Sequence, residues 1–327
     1  MSTRRRLLLA IGAGALAVPL GLFAQQPVKV YRIGFLGAES ASTWASQVDA
    51  LRAGLRDLGY VEGKNIVIEF RWAEGKYERL PDLAAELVRL KVDVLVTHGT
   101  PGTLAAKQAT TTIPIVMATS GDAVATGLVA GLARPGGNIT GSTVFGAELL
   151  AKRLELLKEA FPRTRQVAAL LNPVNAVQGL SFQAAEITAR SLKVELRKFE
   201  VRRPDEFDGA FAAMVKKHVD AVAITQDSML VSNAGAIAEL ATNKRIPSVG
   251  YPAFAEAGGL IGYGVNIPEM YRRAAYFVDR ILKGAKPSNL PVDRPTRFEM
   301  VINMKTAKAL GIKIPNSILV RADRVIE

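Results

Sequence analysis

The fold of this 327-residue chain is decided by the run Val92-Asp93-Val94-Leu95-Val96-Thr97, which leads directly into His98-Gly99-Thr100-Pro101. The run is short, rich in β-branched residues and nearly continuous in apolar character, as a strand buried on both faces requires. Val219-Asp220-Ala221-Val222-Ala223-Ile224-Thr225 repeats it, and Ile246-Pro247 echoes Ile113-Pro114. Such runs alternate with helix-period segments. We therefore predict an α/β fold of two similar lobes, each a parallel sheet covered by helices.

Eight strands are predicted in two sets of four, and helices separate them. The first set is residues 31–36, 65–71, 92–97 and 113–118, and the second set is 167–171, 194–199, 219–225 and 246–250. The first helix places Trp44, Val48, Leu51, Leu55 and Leu58 on one face, and Gly59 ends it. Trp44 fits the apolar core, and its place beside a strand end also fits a ligand contact.

The lobes are predicted from these elements and from the turn-forming residues between them. Residues 133–141 are rich in glycine, proline and asparagine and are the expected crossover. A helix from Pro268 to Lys283 is expected to return to the first lobe, and the tail is expected to span both lobes. We predict a first lobe of residues 28–140 plus about 264–295, and a second lobe of 141–263 plus part of 296–327.

Residues 1–24 have the pattern of an export signal. Arg4, Arg5 and Arg6 precede an apolar run from Leu7 to Ala24, and Gln25 follows. The consecutive arginines fit a twin-arginine signal as well as an ordinary secretory one. An uncleaved anchor is the alternative, although its glycines and proline weaken a spanning helix. We expect the folded part to lie outside the cytoplasm, in the periplasm.

Composition excludes several classes of function. The formal net charge is +12, but the Lys and Arg residues are interspersed with acids. One such group, which contains Lys152, Arg153 and Glu155, is typical of a solvated helix face, and no basic stripe for nucleic acid is visible. The chain has no cysteine, so disulfides, thiol catalysis and a lipid anchor on an N-terminal Cys are excluded.

The sequence lacks the usual catalytic patterns. There is no Gly-x-Ser-x-Gly motif and no phosphate-binding loop, since Gly63-Lys64 and Gly75-Lys76 are not followed by Ser or Thr. His98 and His218 are the only histidines, which is too few for a metal site of the usual kind, and we expect His218 on the surface. We therefore predict no enzymatic activity, no metal and no cofactor.

A ligand site is better supported, because ligands of open parallel sheets bind at the carboxyl ends of the strands. Polar and aromatic residues follow the predicted strand ends; the candidate ligand contacts are Ser40, Thr100, Pro101, Thr119, Ser120, Asp122, Asn172, Asn175, Gln226, Asp227, Tyr251 and Tyr263. Thr100 before Pro101 also fits a helix N-cap, with free N–H groups suited to a carboxylate.

Two acids and three aromatic residues have open roles. Asp122 and Asp227 fit helix caps, and they also fit carboxylates that receive a ligand ammonium. Tyr251, Phe254 and Tyr263 fit either walls of a binding site or core packing.

Several segments resemble one known family. They are Asp57-Leu58-Gly59-Tyr60-Val61-Glu62-Gly63-Lys64-Asn65-Ile66, Arg71-Trp72-Ala73-Glu74-Gly75, Arg79-Leu80-Pro81, Gly99-Thr100-Pro101, Leu132-Ala133-Arg134-Pro135-Gly136-Gly137-Asn138-Ile139-Thr140-Gly141, Glu256-Ala257-Gly258-Gly259-Leu260 and Asn303-Met304-Lys305-Thr306-Ala307-Lys308-Ala309-Leu310-Gly311. Together they resemble the ABC-transporter substrate-binding family that includes tryptophan- and tyrosine-binding proteins. The resemblance spans nearly all of the chain after the leader.

The resemblance implies a type I periplasmic-binding fold, with two Rossmann-like lobes joined by hinge strands. It implies a ligand carboxylate at Gly99-Thr100-Pro101 and polar contacts from the loops that hold Asp122 and Asp227. It also implies a soluble periplasmic carrier that delivers a small solute, such as an aromatic amino acid or another small carboxylate, to an ABC permease in the inner membrane. We expect the protein to be a monomer. A sensor for a membrane kinase and an exported enzyme are the alternatives.

Overall fold

The computed structural model describes residues 29–327, and the predicted leader at residues 1–24 lies outside them. Among residues 29–327, no helix combines the length and the apolar character that crossing a bilayer requires.

The strands and helices of this part alternate along most of the chain. The strands are β1 (Tyr31–Gly37), β2 (Ile66–Trp72), β3 (Val94–His98), β4 (Ile115–Gly121), β5 (Ile139–Val144), β6 (Gln166–Leu171), β7 (Glu195–Glu200), β8 (Ala221–Ile224), β9 (Ser248–Gly250), β10 (Ile261–Gly264), β11 (Glu299–Asn303) and β12 (Arg324–Ile326). The helices are α1 (Ala45–Asp57), α2 (Leu80–Arg89), α3 (Gly99–Ala109), α4 (Gly146–Ala160), α5 (Ala176–Ser191), α6 (Phe207–Lys216), α7 (Ser228–Ser232), α8 (Ala234–Asn243), α9 (Pro252–Glu256), α10 (Ile267–Leu282), α11 (Met304–Leu310) and α12 (Asn316–Leu319).

The first sheet has the order β2-β1-β3-β4-β5, and all its strand pairs are parallel. Helices α1 and α10 cover one face, where Leu51 and Leu55 pack in one core with Phe277. Helices α2 and α3 cover the other face through Leu83, Leu87 and their neighbours. We call this sheet with its four helices the first lobe.

The second sheet has the order β12-β11-β10-β9-β8-β6-β7. Its pairs are parallel except β10 with β11, which are antiparallel. Residues of α4 and α5 pack in the core on one face, and residues of α6 and α8 pack in the core on the other. We call this sheet with its helices the second lobe. The predicted α/β architecture with mostly parallel sheets is confirmed.

All eight predicted strands form, with shifts of a few residues at their ends. Strands β5, β10, β11 and β12 were not predicted. Strand β5 occupies part of the expected crossover, because backbone pairing with β4 does not depend on apolar side chains. Gly141 has a φ of 122°, and a Cβ there would lie 2.3 Å from the Met117 carbonyl oxygen. Gly141, which the sequence suggested as a turn former, therefore lies inside strand β5. A glycine is required there because the backbone of β4 approaches closely.

Within residues 29–327 the chain passes between the lobes three times. It leaves the first sheet after Val144, a few residues beyond the expected boundary at 140, and begins α4 in the second lobe at Gly146. It returns after Gly264 to α10, which packs against α1 and β4. It crosses again between Leu282 and Glu299, where Asp293 pairs with β5.

Candidate functional site

A cavity of about 70 Å³ lies between the two lobes at the carboxyl ends of the strands. Its first-lobe wall consists of Trp44, His98, Gly99, Thr100, Thr119, Ser120, Gly121 and Val144. Its second-lobe wall consists of Gly146, Leu149, Leu150, Arg153, Asn175, Val177, Gln178, Ser181, Thr225, Gln226, Asp227, Ser228 and Val231. At roughly 10–15 Å³ per water, the cavity has room for about five water molecules, or for part of a small organic molecule.

The first turn of α3 lines the cavity, but its cap differs from the predicted one. The N-cap position is His98, and Thr100 lies inside the helix because Gly99, with a φ of 73°, already turns the chain. The Thr100 Oγ1 accepts a hydrogen bond from the Gly121 backbone N–H at 3.1 Å and lies 3.3 Å from the Ser120 hydroxyl. The Thr100 hydroxyl therefore joins α3 to the end of β4 and does not cap the helix.

Trp44 and His98 form an aromatic corner of the cavity. Their ring centroids are 3.9 Å apart, and Tyr271 of α10 packs against both rings. Burial lowers the pKa of His98 to about 3, so its imidazole is neutral at neutral pH. Trp44 combines the two roles that its position suggested, because it belongs to the first-lobe core and also lines the cavity.

The second-lobe wall presents side-chain amide oxygens. The amide nitrogen of Asn175 donates to Asp227 Oδ2 at 2.9 Å, and that of Gln178 donates to the Gln226 backbone carbonyl at 2.9 Å. These bonds fix the amide orientations, so Asn175 Oδ1 and Gln178 Oε1 are left as acceptors without a partner. Gln178 was not predicted, because a glutamine two positions into a helix resembles any solvated residue.

Asp227 is buried at the contact between the lobes. Its carboxylate accepts hydrogen bonds from Asn172, Asn175 and the Met229 backbone N–H, all in the second lobe, at 2.9–3.1 Å. The Tyr77 hydroxyl of the first lobe donates to both of its oxygens at 3.2 Å. Burial raises the pKa of Asp227, and the hydrogen bonds from Asn175 and its neighbours counteract part of that rise.

The predicted site residues divide into two groups. Those that line the cavity are Thr100, Thr119, Ser120, Asn175, Gln226 and Asp227. Pro101 and Asn172 line a neighbouring groove between the lobes, and Asn172 reaches the site only through its bond to Asp227. Ser40 is hydrogen-bonded to Ser42 and Thr43 outside the cavity.

Asp122 and the predicted aromatic walls also lie outside the cavity. Asp122 Oδ1 accepts from the backbone N–H groups of Val124 and Ala125, as a turn cap does. Tyr251 packs in the second-lobe core beside Phe254 and donates to the Leu230 carbonyl oxygen. Tyr263 stacks on Phe298. Their strand-end positions are correct, but their rings turn toward neighbouring helices and loops.

Arg153 was predicted on a solvated helix face, and this prediction is wrong. Its side chain is 1% exposed and lines the cavity. It lies between the buried Leu150 and Leu154 on the inner face of α4. The sequence did not indicate this burial, because Arg153 is surrounded by other basic and acidic residues. Such a mixture of charges does not show which one of them faces the interior.

Unpaired polar groups are concentrated at the cavity. Ten buried side-chain nitrogen or oxygen atoms in residues 29–327 have no hydrogen-bond partner, and six belong to cavity-lining residues: Trp44, His98, Arg153, Asn175, Gln178 and Gln226. Buried polar groups without partners are rare in folded proteins and cost about 1–3 kcal/mol each. The described residues contain no cluster of three or more acids or histidines that could hold a metal ion.

Glu39 is a buried acid beside Asp227 at the contact between the lobes. Burial in the first place, and then the nearby Asp227 carboxylate, raise the pKa of Glu39 from 4.5 to about 7. Glu74 acts in the same direction, and Tyr77 lies close enough to interact with Glu39. In the described part of the chain, neither lysine nor arginine forms an ion pair with Glu39.

Ionisation of Glu39 is therefore expected to lower the free energy of unfolding of the parent, relative to a variant without this carboxyl, as pH rises from 4.5 to 7. Glu39 binds a proton more tightly in the folded state than in the unfolded state, so its contribution is complete below pH 4.5 and lost above about pH 7. The Glu39→Gln variant should lose this slope and be about 2 kcal/mol more stable than the parent at pH 8. Urea unfolding between pH 4.5 and 8 measures it. Glu78→Gln, at an exposed position, should keep the parent's slope; equal slopes in all three proteins would contradict the expectation.

The chain is similar to known proteins over most of its length. The sequence model of a family described as ABC transporter substrate binding protein matches residues 39–326. A tyrosine-binding protein of Clostridioides difficile (strain R20291) is 27% identical over 260 residues, which is 79% of this chain and 74% of the relative.

Two solved structures match the fold closely. A conserved domain protein from Vibrio cholerae O1 biovar El Tor superposes with a TM-score of 0.86 at 27% identity, over 91% of this chain and 100% of that chain. An ABC domain from Streptococcus pneumoniae in complex with L-Trp superposes with a TM-score of 0.82 at 27% identity, over 90% of this chain and 100% of that chain.

Proposed function

Because the chain belongs to the family of ABC transporter substrate-binding proteins, we propose that it is an exported receptor whose two lobes close on a small organic solute and deliver it to an ABC permease. In this proposal the leader at residues 1–24 directs export to the periplasm and is removed near Gln25, and the mature protein acts as a monomer without chemistry of its own. The three chain crossings between the lobes provide the hinge.

The observation that carries the proposal is the set of six unpaired buried polar groups around one cavity between the lobes. A bound solute would supply the missing partners, and it would do so in contact with both lobes. Within residues 29–327, no comparable set surrounds a nucleophile and its base, so binding is better supported than catalysis.

The lining favours an amino acid, with an aromatic one as the first candidate. The corner of Trp44 and His98 suits a ring, and the amide oxygens of Asn175, Gln178 and Gln226 suit the N–H groups of an ammonium. A relative named for tyrosine binding and a solved homologue bound to L-Trp support the same class.

Adding the cognate solute is expected to raise the melting temperature of the mature protein by several degrees. Solute at about 100 times its Kd adds roughly 2.7 kcal/mol of stability when it binds only the folded state. A thermal-shift screen of the twenty amino acids, benzoate, phenylacetate and other small carboxylates tests this. The screen uses protein purified from the periplasm, and its intact mass should correspond to a chain that begins near Gln25. Glucose, which has no carboxylate, serves as the negative control. A screen without any shift, and without a change in scattering radius, would contradict a solute receptor.

A further inference from the structure

Arg153 is the one cationic side chain that lines the cavity in the described part of the chain. Its Nε donates to the Tyr263 carbonyl oxygen at 2.9 Å, and its Nη1 donates to the Ile224 carbonyl oxygen at 3.1 Å. Its Nη2 is buried and has no acceptor. Two backbone carbonyls thus hold the planar guanidinium in one orientation and leave one edge unused.

Arg153 is not paired with an acid within residues 29–327, although the buried Asp227 carboxylate lines the same cavity. The groups that act on it electrostatically are the phenols of Tyr251 and Tyr263, and no Asp or Glu oxygen forms an ion pair with it. Burial lowers the pKa of Arg153 to about 10, so it remains protonated at neutral pH. An unpaired charge inside a protein is strongly unfavourable, and the usual resolution is a partner of opposite charge.

Hydrogen-bond donors of the first lobe line the same cavity as this charge. Gly99 and Thr100, in the first turn of α3, and the Ser120 hydroxyl belong to the first lobe, whereas Arg153 belongs to the second. An anionic group between them would bond to donors of both lobes, and guanidinium with carboxylate is among the strongest such pairs. The resemblance to the family implied a ligand carboxylate at Gly99-Thr100-Pro101, and no cationic side chain was among the predicted contacts.

We propose that Arg153 is the residue that selects an anionic solute, by forming a charge-paired hydrogen bond to the solute's carboxylate when the lobes are closed. This inference rests on the proposed function and names its chemical requirement. Solutes with a carboxylate bind, and analogues with a neutral group in its place do not. Because the pair forms across the cavity, the same contact also favours closure.

The test compares three acids with their carboxamides: L-tryptophan with L-tryptophanamide, L-tyrosine with L-tyrosinamide, and benzoate with benzamide. Calorimetry on the parent should show at least one acid bound about 100-fold more tightly than its carboxamide. In Arg153→Met the acid should lose about 100-fold in affinity, and the ratio of acid to carboxamide should fall to about threefold or less. Lys152→Met, which removes a charge from the exposed neighbour on α4, should leave the ratio unchanged.

Two further measurements guard against a folding defect. Arg153→Lys keeps the positive charge but lacks the planar guanidinium that can donate several hydrogen bonds in a fixed geometry. This variant should therefore fold and lose about tenfold in affinity for the acid. The ratio of acid to carboxamide affinity in the parent is independent of any folding defect, because it is measured without a variant.

A parent that binds acid and carboxamide equally, or an Arg153→Met variant that keeps the parent's ratio, overturns the role of Arg153 while the receptor function stands. If the parent binds none of the acids but binds other solutes, the anionic preference is wrong. If it binds no solute, both proposals are wrong.

Discussion

The Asp227→Asn variant is expected to unfold with a free energy about 2–4 kcal/mol lower than that of the parent, even without solute. The parent carboxylate accepts hydrogen bonds from Asn172, Asn175 and the Met229 backbone N–H inside the second lobe. Asparagine would turn an NH₂ group toward at least one of these donors, which leaves buried groups unpaired. Urea unfolding of the solute-free protein, followed by circular dichroism, measures the loss.

Asp122→Asn is the matched control, because Asp122 was the alternative to Asp227 as an ammonium receptor. Its carboxylate only caps a partly exposed turn, so the loss in the free energy of unfolding should stay below about 1 kcal/mol. A different result would revise the role of Asp227. If Asp227→Asn keeps the stability of the solute-free protein and loses only solute affinity, then the carboxylate serves an ammonium and the hydrogen bonds around it are secondary.

The Gly121→Val variant is expected to bind solute about 100-fold more weakly than the parent, because it prevents full closure. Gly121 ends β4 in the first lobe, and a Cβ at this position would lie 2.7 Å from both methyl carbons of Val177 on α5 of the second lobe. Contacts below about 3 Å must be relieved, and the simplest relief is for the lobes to separate. Loss of the contacts that only the closed state makes lowers affinity without a comparable loss of folding stability.

Three controls separate closure from local damage. Gly137→Val should bind normally, because its Cβ would meet no atom within 4 Å. A Gly121→Ala variant introduces the same Cβ and should also bind more weakly than the parent. Adding Val177→Ala to it should restore most of the lost affinity, because this change removes the methyl groups that collide with that Cβ. Small-angle scattering should show that solute no longer reduces the radius of gyration of Gly121→Val. Parent-like affinity in Gly121→Val would mean that the two lobes do not need this contact to hold the solute.

The second-lobe wall could be predicted only in part. Asn175, Gln226 and Asp227 follow strands or precede helices at points where parallel sheets present loops, so topology alone placed them at the cavity. Tyr251 and Tyr263 occupy equivalent points, yet their rings face Leu230 and Phe298. Position along a strand determines which end of the sheet a residue is near. It does not determine the direction of the side chain, which depends on the space left by neighbouring elements.

The sequence by itself determined the two-lobed α/β fold and the edge of the sheets at which the cavity between the lobes lies. Burial of a strand on both faces requires an apolar run such as Val92–Thr97, and that requirement is visible in one dimension. Only the tertiary structure decided that Arg153 turns inward, that Asp227 rather than Asp122 borders the cavity, and that Trp44 meets His98. The carbonyl oxygens that orient Arg153 belong to Ile224 and Tyr263, 71 and 110 residues away. Contacts over such separations arise from the packing of the sheets and helices, and no local pattern of residue types encodes them.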